Sequence, residues 1–280
     1  MKTRNLLLGT VFLASALTVM PIKAENIKGN GNVITQEFAV EDFEGIMTGG
    51  IQQNNNFSFK SLFSSSTYTA PSFYYKQTSS CTLEITTDEN IMPYLTTEVR
   101  DGNLRIRVKK GYAISPTQLD FHATSKELER ISVSGGGNFY LKSSLKGDKL
   151  EAGVSGGGDL YLNEPVTMKQ VELGVSGGGD LEAKRLACDY LEAGVSGGGD
   201  LDLGGNAKEA EMGVSGGGDL HAYDMVVNDL TCGVSGGGTA KVHAVDNLKA
   251  KVSGGGDLYY KGNPNADTSA RGGGGVHKVN

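Results

Sequence analysis

The chain of 280 residues contains no tryptophan, 7% aromatic residues and three cysteines. A core of large interlocking side chains is therefore not expected, and a repetitive architecture with small side chains fits better. Three cysteines leave at least one unpaired, and the spacings between Cys81, Cys188 and Cys232 match no zinc motif. We therefore expect buried free thiols rather than a disulfide framework.

Clustered positive charge is also missing. The net charge is −6, the pI is about 5.3, and no basic stripe appears in the sequence. Proteins that bind nucleic acid need clustered Lys and Arg to neutralise phosphates. A nucleic-acid partner is therefore not expected, whereas cationic partners or divalent metals are electrostatically easier to bind.

Only one long apolar run occurs, and it lies at the N-terminus. Lys2 and Arg4 precede the apolar residues 6–19, and the string IKA ends at Ala24, which is the pattern of a secretory signal peptide. The run is too short for a comfortable membrane span. We predict a signal peptide over 1–24 and export to the periplasm, the outer-membrane surface or the extracellular space, with no transmembrane segment in the mature chain.

Glycine is abundant, and half of it lies in one repeated string. Of the 42 glycines, 21 belong to seven copies of VSGGG, spaced 18 to 21 residues apart. The copies begin at Val133, Val154, Val175, Val195, Val214, Val234 and Val252. Apolar residues alternate with other residues around each copy, which is typical of strand, and a period near 20 is typical of stacked coils. The sequence predicts an all-β, single-stranded right-handed parallel β-helix with about 20 residues per coil.

The triple glycine is predicted to form a corner. Thirteen alternating residues would run about 43 Å if straight, which is longer than one side of such a coil. Glycine allows a bend because its φ is unrestricted and it carries no inward side chain. If neighbouring rungs crowd this corner, Gly178→Val should be strongly destabilising, and substitution of Glu182 should matter little.

The rest of the chain is divided around this repeat. We predict N-terminal coils over 25–130 with an aromatic and Ser-rich insertion at about 52–80. The regular VSGGG helix then occupies 131–262, and a C-terminal cap occupies 263–280. An Asp-Gly turn at Asp101 and Gly102 is expected to join two strands in the first part.

The strings FEGIMTGG, TTDENIMPYLTTEVRDGNLRI and the repeated VSGGGDL together resemble one known family. It is the auto-transporter adhesin head (GIN) domain family of exported bacterial proteins, common in Bacteroidetes. The resemblance covers most of residues 38–262. It implies a parallel β-helix and an adhesin-like role, and it supplies no catalytic residues.

Stacking of coils would place equivalent residues in columns, with about 5 Å between successive residues of a column. Two of these columns are acidic. The first contains Asp159, Asp180, Asp200, Asp219 and Asp257, and the second contains Glu151, Glu172, Glu192 and Glu211. Oxygen donors in such an array suit calcium, so the Asp column is a candidate calcium site. In the alternative interpretation, each Asp caps backbone amides of the corner and each Glu faces water. No other cofactor is expected.

The predicted insertion is the best candidate for recognition. Exposed aromatic side chains on a loop beside a rigid scaffold can bind sugar rings or protein. The candidate ligand-binding residues are Phe57, Phe59, Phe63, Tyr68, Phe73, Tyr74 and Tyr75. The alternative is a self-packed hairpin that covers the first coil.

No catalytic constellation can be assembled from the sequence. The four histidines are scattered, the Walker pattern is absent, and the coil length differs from the nine-residue repeat of calcium-binding β-rolls. The leading interpretation is a non-catalytic, exported binding or adhesion module at the cell envelope, with a glycan or a cell-surface protein as its partner. The alternatives are a carbohydrate-active β-helix enzyme of the polysaccharide lyase or hydrolase type, and a structural envelope protein.

Overall fold

The computed structural model describes residues 25–48 and 70–279 as a β-solenoid of about seven turns, with about 20 residues per turn. The predicted fold class is therefore confirmed. The predicted signal peptide lies outside the described residues, as do Phe57, Phe59, Phe63 and Tyr68.

Within its described residues, the N-terminal part contains nine strands and one single-turn 3-10 helix, Met92–Tyr94. The strands are β1 (Glu25–Lys28), β2 (Val33–Phe38), β3 (Gly45–Met47), β4 (Ser72–Gln77), β5 (Thr82–Asp88), β6 (Leu95–Arg100), β7 (Asn103–Val108), β8 (Tyr112–Ser115) and β9 (Leu119–Ser125). β5 pairs antiparallel with β2 and β9, and β6 pairs antiparallel with β7 across the predicted turn. β4 lies inside the predicted insertion, yet it pairs in parallel with β9 and is therefore a solenoid strand.

The regular part consists of parallel strands that lengthen along the chain. They are β10 (Arg130–Val133), β11 (Asn138–Leu141), β12 (Leu145–Lys146), β13 (Lys149–Val154), β14 (Leu160–Tyr161), β15 (Val166–Val175), β16 (Leu181–Val195), β17 (Leu201–Val214), β18 (Leu220–Val234) and β19 (Ala240–Val252). The chain continues with β20 (Leu258–Lys261), and the final rung is made by β21 (Asn265–Ala270), which pairs with β19, and β22 (Val276–Lys278), which pairs with β20. Each valine of the repeat pairs with the valine of the next coil, as in Val175 with Val195.

Each regular coil has three sides, and the burial pattern shows where it bends. In β16, buried residues alternate with outward ones, except that buried residues are three apart between Ala183 and Leu186 and again between Cys188 and Leu191. Each such step shifts the alternation by one residue and turns the chain. We call the segment 191–195 and its equivalents face 1, the segment 181–183 and its equivalents face 2, and the segment 186–188 and its equivalents face 3.

The third bend is the VSGGG corner, where the rungs come closest together. The carbonyl of Gly156 accepts hydrogen bonds from the amides of Gly178 (2.9 Å) and Gly179 (3.0 Å) of the next rung. A Cβ on Gly177 or Gly179 would overlap the backbone carbonyl of Gly156 or Gly158, respectively, whereas a Cβ on Gly178 would meet nothing within 4 Å. None of the three has φ in the left-handed region. Glycine is thus required for close approach, and the predicted crowding at Gly178 is wrong because this glycine points outward.

A buried carboxylate joins two turns of the N-terminal part. Asp88 is fully buried and accepts hydrogen bonds from the amides of Gly31 (2.8 Å) and Thr117 (2.7 Å) and from the Thr117 hydroxyl (2.8 Å). Burial alone would raise the pKa of Asp88, but these donors hold its pKa below the ordinary value. Asp88 therefore ties the turn after β1 to the turn before β9.

The three cysteines are free, as expected. Cys188 and Cys232 are buried, and Cys81 is half-buried. Burial raises the pKa of Cys188 to about 11 and that of Cys232 to about 12, so neither thiol has thiolate character at neutral pH. Within the described ranges, no helix combines the length and hydropathy of a membrane span.

The corner geometry predicts opposite outcomes for adjacent glycines. Gly179→Ala should lower the free energy of unfolding by about 1 to 3 kcal/mol, because the methyl group meets the backbone of the rung below. Gly178→Ala should stay within about 0.5 kcal/mol of wild type, because its methyl group enters open space. Urea unfolding of both variants checks this. Equal losses would contradict the assignment of the crowded positions.

Candidate functional site

Face 1 carries two outward columns that run side by side along the solenoid. The strand registers stack Glu151, Glu172, Glu192 and Glu211 in one column. The same registers stack Gly153, Gly174, Gly194, Gly213 and Gly233 in the other. The predicted Glu column therefore exists, and it borders a strip of sheet that has no side chains.

These columns form an open concavity, which we call the glycine groove: the five glycines are its floor and the four glutamates are one wall. One section has a volume of about 640 Å³, and the adjoining section has about 570 Å³. The two sections share Gly194, Glu211 and Gly213. Four rung steps separate the first and last floor glycines, so the floor is about 19 Å long.

The fold does not require glycine on this floor. None of the five has φ in the left-handed region. A Cβ at Gly174 would meet nothing within 4 Å, and at Gly194, Gly213 and Gly233 it would make ordinary contacts at 3.6 to 3.9 Å. Only at Gly153 would it be tight, 3.3 Å from the carbonyl oxygen of Gly174. Glycine within a strand costs about 0.5 to 1 kcal/mol relative to alanine. The four uncrowded glycines thus lower stability without relieving a clash, in contrast to Gly177 and Gly179 of the corner.

The charge of the groove changes along its length. The four wall carboxylates lie on successive rungs, and Lys149 Nζ is 3.9 Å from Glu151 and 3.8 Å from Glu172. Cationic side chains line the ends, with Arg130 at one end and Lys249 and Lys251 at the other. The centre of the groove is therefore acidic, and its cationic side chains lie at the ends, where Arg130 is paired with Glu44 at 2.7 Å.

The Asp column lies at the VSGGG corner, and each of its carboxylates accepts a hydrogen bond from a backbone amide of the next rung. Oδ1 of Asp159 accepts the amide of Asp180 (3.0 Å), Oδ1 of Asp180 accepts the amide of Asp200 (2.9 Å), and the series continues to Asp219. Asn138 Oδ1 accepts a hydrogen bond from the amide of Asp159 in the same way, at 3.2 Å. This geometry matches the capping interpretation. It does not support a calcium column there, because each Asp already uses one carboxylate oxygen for the next rung.

Two of the predicted aromatic ligand-binding residues are in the core. Phe73 stacks between Phe121 and Phe139, with ring centroids 5.7 and 5.6 Å away. Tyr75 is fully buried and its hydroxyl is 2.9 Å from Ser125 Oγ, while burial raises the pKa of Tyr75 to about 12. The expectation that Phe73 and Tyr75 are exposed recognition residues is wrong, because alternate residues of β4 point into the solenoid.

Tyr74, between them, faces outward on face 2 but has no free ring face. Its ring stacks on His122 at 4.8 Å and on Tyr140 at 5.2 Å, and Tyr140 stacks in turn on Tyr161 at 5.1 Å. A sugar ring that stacks on tyrosine needs the flat face of the ring. This ladder presents ring edges and hydroxyl groups instead, so the predicted role of Tyr74 in stacking against sugar is not supported.

The remaining histidines do not form a catalytic cluster. His221 Nδ1 is 3.4 Å from Asp202 and His277 Nε2 is 3.2 Å from Asp257, and both histidines are partly exposed. In residues 25–48 and 70–279, no three His, Cys, Asp or Glu side chains are grouped so that they could hold a metal ion.

The sequence pattern predicts the Glu column but does not single out the glycine column beside it. The signal was present, because glycine directly precedes valine in five of the seven copies, as GVSGGG. It was obscured by the triple glycine that follows. Only the Cβ environments distinguish the two sets, since a glycine column reads the same in sequence whether it is crowded or open.

The capping role of the Asp column can be tested at Asp219, whose Oδ1 accepts the amide of Thr239 at 2.7 Å. Asp219→Ala should reduce the free energy of unfolding by about 1 kcal/mol, because this amide loses its acceptor. Asp219→Asn should remain close to wild type, because its side-chain carbonyl can accept the same hydrogen bond. Thermal unfolding checks both variants. Equal losses in the Asp219→Asn and Asp219→Ala variants would show that the charge of the side chain, not its ability to accept a hydrogen bond, is what matters.

Comparisons with known proteins agree with the sequence resemblance. A family model described as "Putative auto-transporter adhesin, head GIN domain" matches residues 68–183 and 153–264, which together span more than half of the chain. Among curated protein sequences, the chain has no match.

Three crystal structures share the fold along nearly the whole chain. A protein from Parabacteroides distasonis named as a putative adhesin is 32% identical, with a TM-score of 0.82, over 91% of this chain and 100% of its own. A putative adhesin from Parabacteroides merdae is 31% identical, with a TM-score of 0.81 and coverages of 92% and 100%. A second Parabacteroides distasonis protein, named as a putative lipid binding protein, is 29% identical, with a TM-score of 0.81 and coverages of 91% and 100%. The chain belongs to the auto-transporter adhesin head GIN domain family.

Proposed function

We propose that this protein is a non-catalytic binding module of the cell envelope and that the glycine groove holds an extended glycan. The observation that carries the proposal is the column of five half-buried, outward floor glycines, four of which neither dihedral angle nor packing requires. Glycine in a strand marks a place where a ligand or another backbone approaches closely.

The shape of the groove favours an extended ligand. Its floor is flat, is about 19 Å long, and repeats its chemistry at every rung. A ligand built from repeating units can make the same contacts on each rung. A compact small molecule would instead need an enclosed pocket that covers most of its surface, whereas this groove is open.

The chemistry of the wall favours hydroxyl groups. Carboxylates accept hydrogen bonds from hydroxyl and ammonium groups but cannot donate to a polyanion. A bound polypeptide strand usually gains its specificity from pockets for alternate side chains, and a floor of glycine offers none. An uncharged glycan fits both constraints.

The relatives support an adhesive rather than an enzymatic role. Two of the similar proteins carry the name of adhesin, and no enzyme appears among the similar proteins described above. One relative is named as a lipid binding protein. Acyl chains require an apolar cavity, and the charged wall of this groove is poorly suited to them. Membership of the family and the signal-peptide pattern support an exported location for this chain.

A groove-blocking variant tests the proposal. Gly174→Trp should fill the floor with an outward indole and abolish glycan binding, because nothing lies within 4 Å of its Cβ to prevent folding. Gly178→Trp is the matched control, because it adds the same side chain to open space at the corner, away from the floor. Wild type and both variants are applied to a glycan array, and their thermal midpoints are compared.

We expect binding by wild type and Gly178→Trp and none by Gly174→Trp, with similar thermal midpoints. Absence of any bound glycan, or equal binding by all three proteins, would overturn the assignment. Each bound glycan is also incubated with wild type and assayed for new reducing ends. Their release would contradict the non-catalytic function and favour the carbohydrate-active enzyme.

A further inference from the structure

The last rung of the solenoid is attached differently from the inner ones. All six residues of β21 are exposed. Its inward positions carry Ala266, Thr268 and Ala270, which pair with Leu248, Ala250 and Val252 of β19. Little apolar surface therefore holds this rung, and the polar contacts at its corner matter more than in any inner coil.

The corner of the last rung departs from the Asp column. Gly275 takes the position of the column, since its amide donates to Asp257 Oδ1 at 2.8 Å, just as the amide of Asp180 donates to Asp159. A Cβ on Gly275 would lie 2.8 Å from Nε2 of His277. The imidazole occupies the space that an aspartate side chain would need, which explains the glycine.

His277 reaches back to the preceding rung through this space. Its Nε2 lies 3.2 Å from Asp257 Oδ1, and its ring stacks on Tyr259 with centroids 4.9 Å apart. A second contact of the rung joins Lys278 Nζ to Asn263 at 3.0 Å. We propose that Asp257 and His277 form a pH-dependent latch, which fastens β21 and β22 to the solenoid when the imidazole is protonated.

The groups around the imidazole give the direction of the effect. From β20 and the corner before it, Tyr259 and Asp257 face the ring, and from β19 Lys241 lies in the same outward column one rung further away. The hydrogen bond from the Gly275 amide, together with that from His277, lowers the pKa of Asp257, so this carboxylate stays charged above pH 5. A histidine side chain changes charge between about pH 5 and 8. The latch therefore gains a charge-assisted bond at the acidic end of this range and loses it as the pH rises.

The size of the effect is limited by solvent. His277 is 48% exposed and Asp257 is 37% exposed, so their attraction is screened. A neutral imidazole with its proton on Nε2 still donates to Asp257, so the contact weakens rather than disappears. Solenoid rungs contact only their neighbours, so loosening should be confined to the terminal rung.

Hydrogen exchange of the whole chain, measured by mass spectrometry at pH 5.5 and pH 8 and corrected for intrinsic exchange rates, tests the latch. Peptides covering β21 and β22 are compared with peptides covering β17. In wild type, protection of the terminal rung relative to β17 should fall by about two- to fivefold from pH 5.5 to pH 8, the range of an exposed ion pair. In His277→Gln, which keeps a donor without the charge, the ratio should be independent of pH.

Two further variants keep the test decisive. His221→Gln removes a partly exposed histidine paired with Asp202 inside the solenoid, and it should retain the wild-type pH dependence. Asp257→Asn keeps an acceptor for the Gly275 amide but removes the charge, and it should lose the pH dependence. Equal protection of the wild-type rung at both pH values, or a pH dependence that survives in both His277→Gln and Asp257→Asn, would overturn the latch. Neither result bears on glycan binding in the groove.

Discussion

The backbone hydrogen bond between successive rungs fixes their separation at about 4.8 Å, and the rest of the structure depends on this spacing. Each inward side chain must fit against the same position of the next coil, so Val154, Val175 and Val195 form a column. Each outward residue is likewise repeated at the same interval. A choice of residue in one coil therefore constrains the neighbouring coils, which explains why one short string recurs along the chain.

At the corner this spacing becomes the limiting factor. The carbonyl of Gly156 lies close enough to accept two amides of the next rung. The carbonyls of Gly156 and Gly158 leave no volume for a side chain at Gly177 and Gly179, respectively. The aspartate that follows uses its carboxylate to accept one more amide. Glycine and aspartate thus solve two parts of one problem, namely how a chain can turn sharply while every rung keeps its hydrogen bonds.

The two ends of the solenoid differ in the residues that end the stack of coils. At the N-terminal end, where strands pair antiparallel, large apolar residues such as Ile91 and Leu95 are buried, and the buried Asp88 joins two turns through hydrogen bonds. At the C-terminal end, the last rung has small inward residues and is held mainly by the pairing of β21 with β19 and of β22 with β20. Buried apolar side chains thus end the stack on one side, and polar contacts end it on the other. The last rung is therefore held more weakly than the rest of the solenoid.

The sequence by itself determined the solenoid, the corner and the two acidic columns, because a period of 18 to 21 residues and the alternation around each copy of VSGGG leave little freedom in how the coils stack. It did not reveal which face of β4 points inward, so Phe73 and Tyr75 looked like exposed recognition residues although they lie in the core. It also could not separate Gly178 from Gly179, or the floor glycines from the corner glycines. Only the tertiary structure decides these points, because the need for glycine depends on the distance to atoms of another rung, about 20 residues away in sequence.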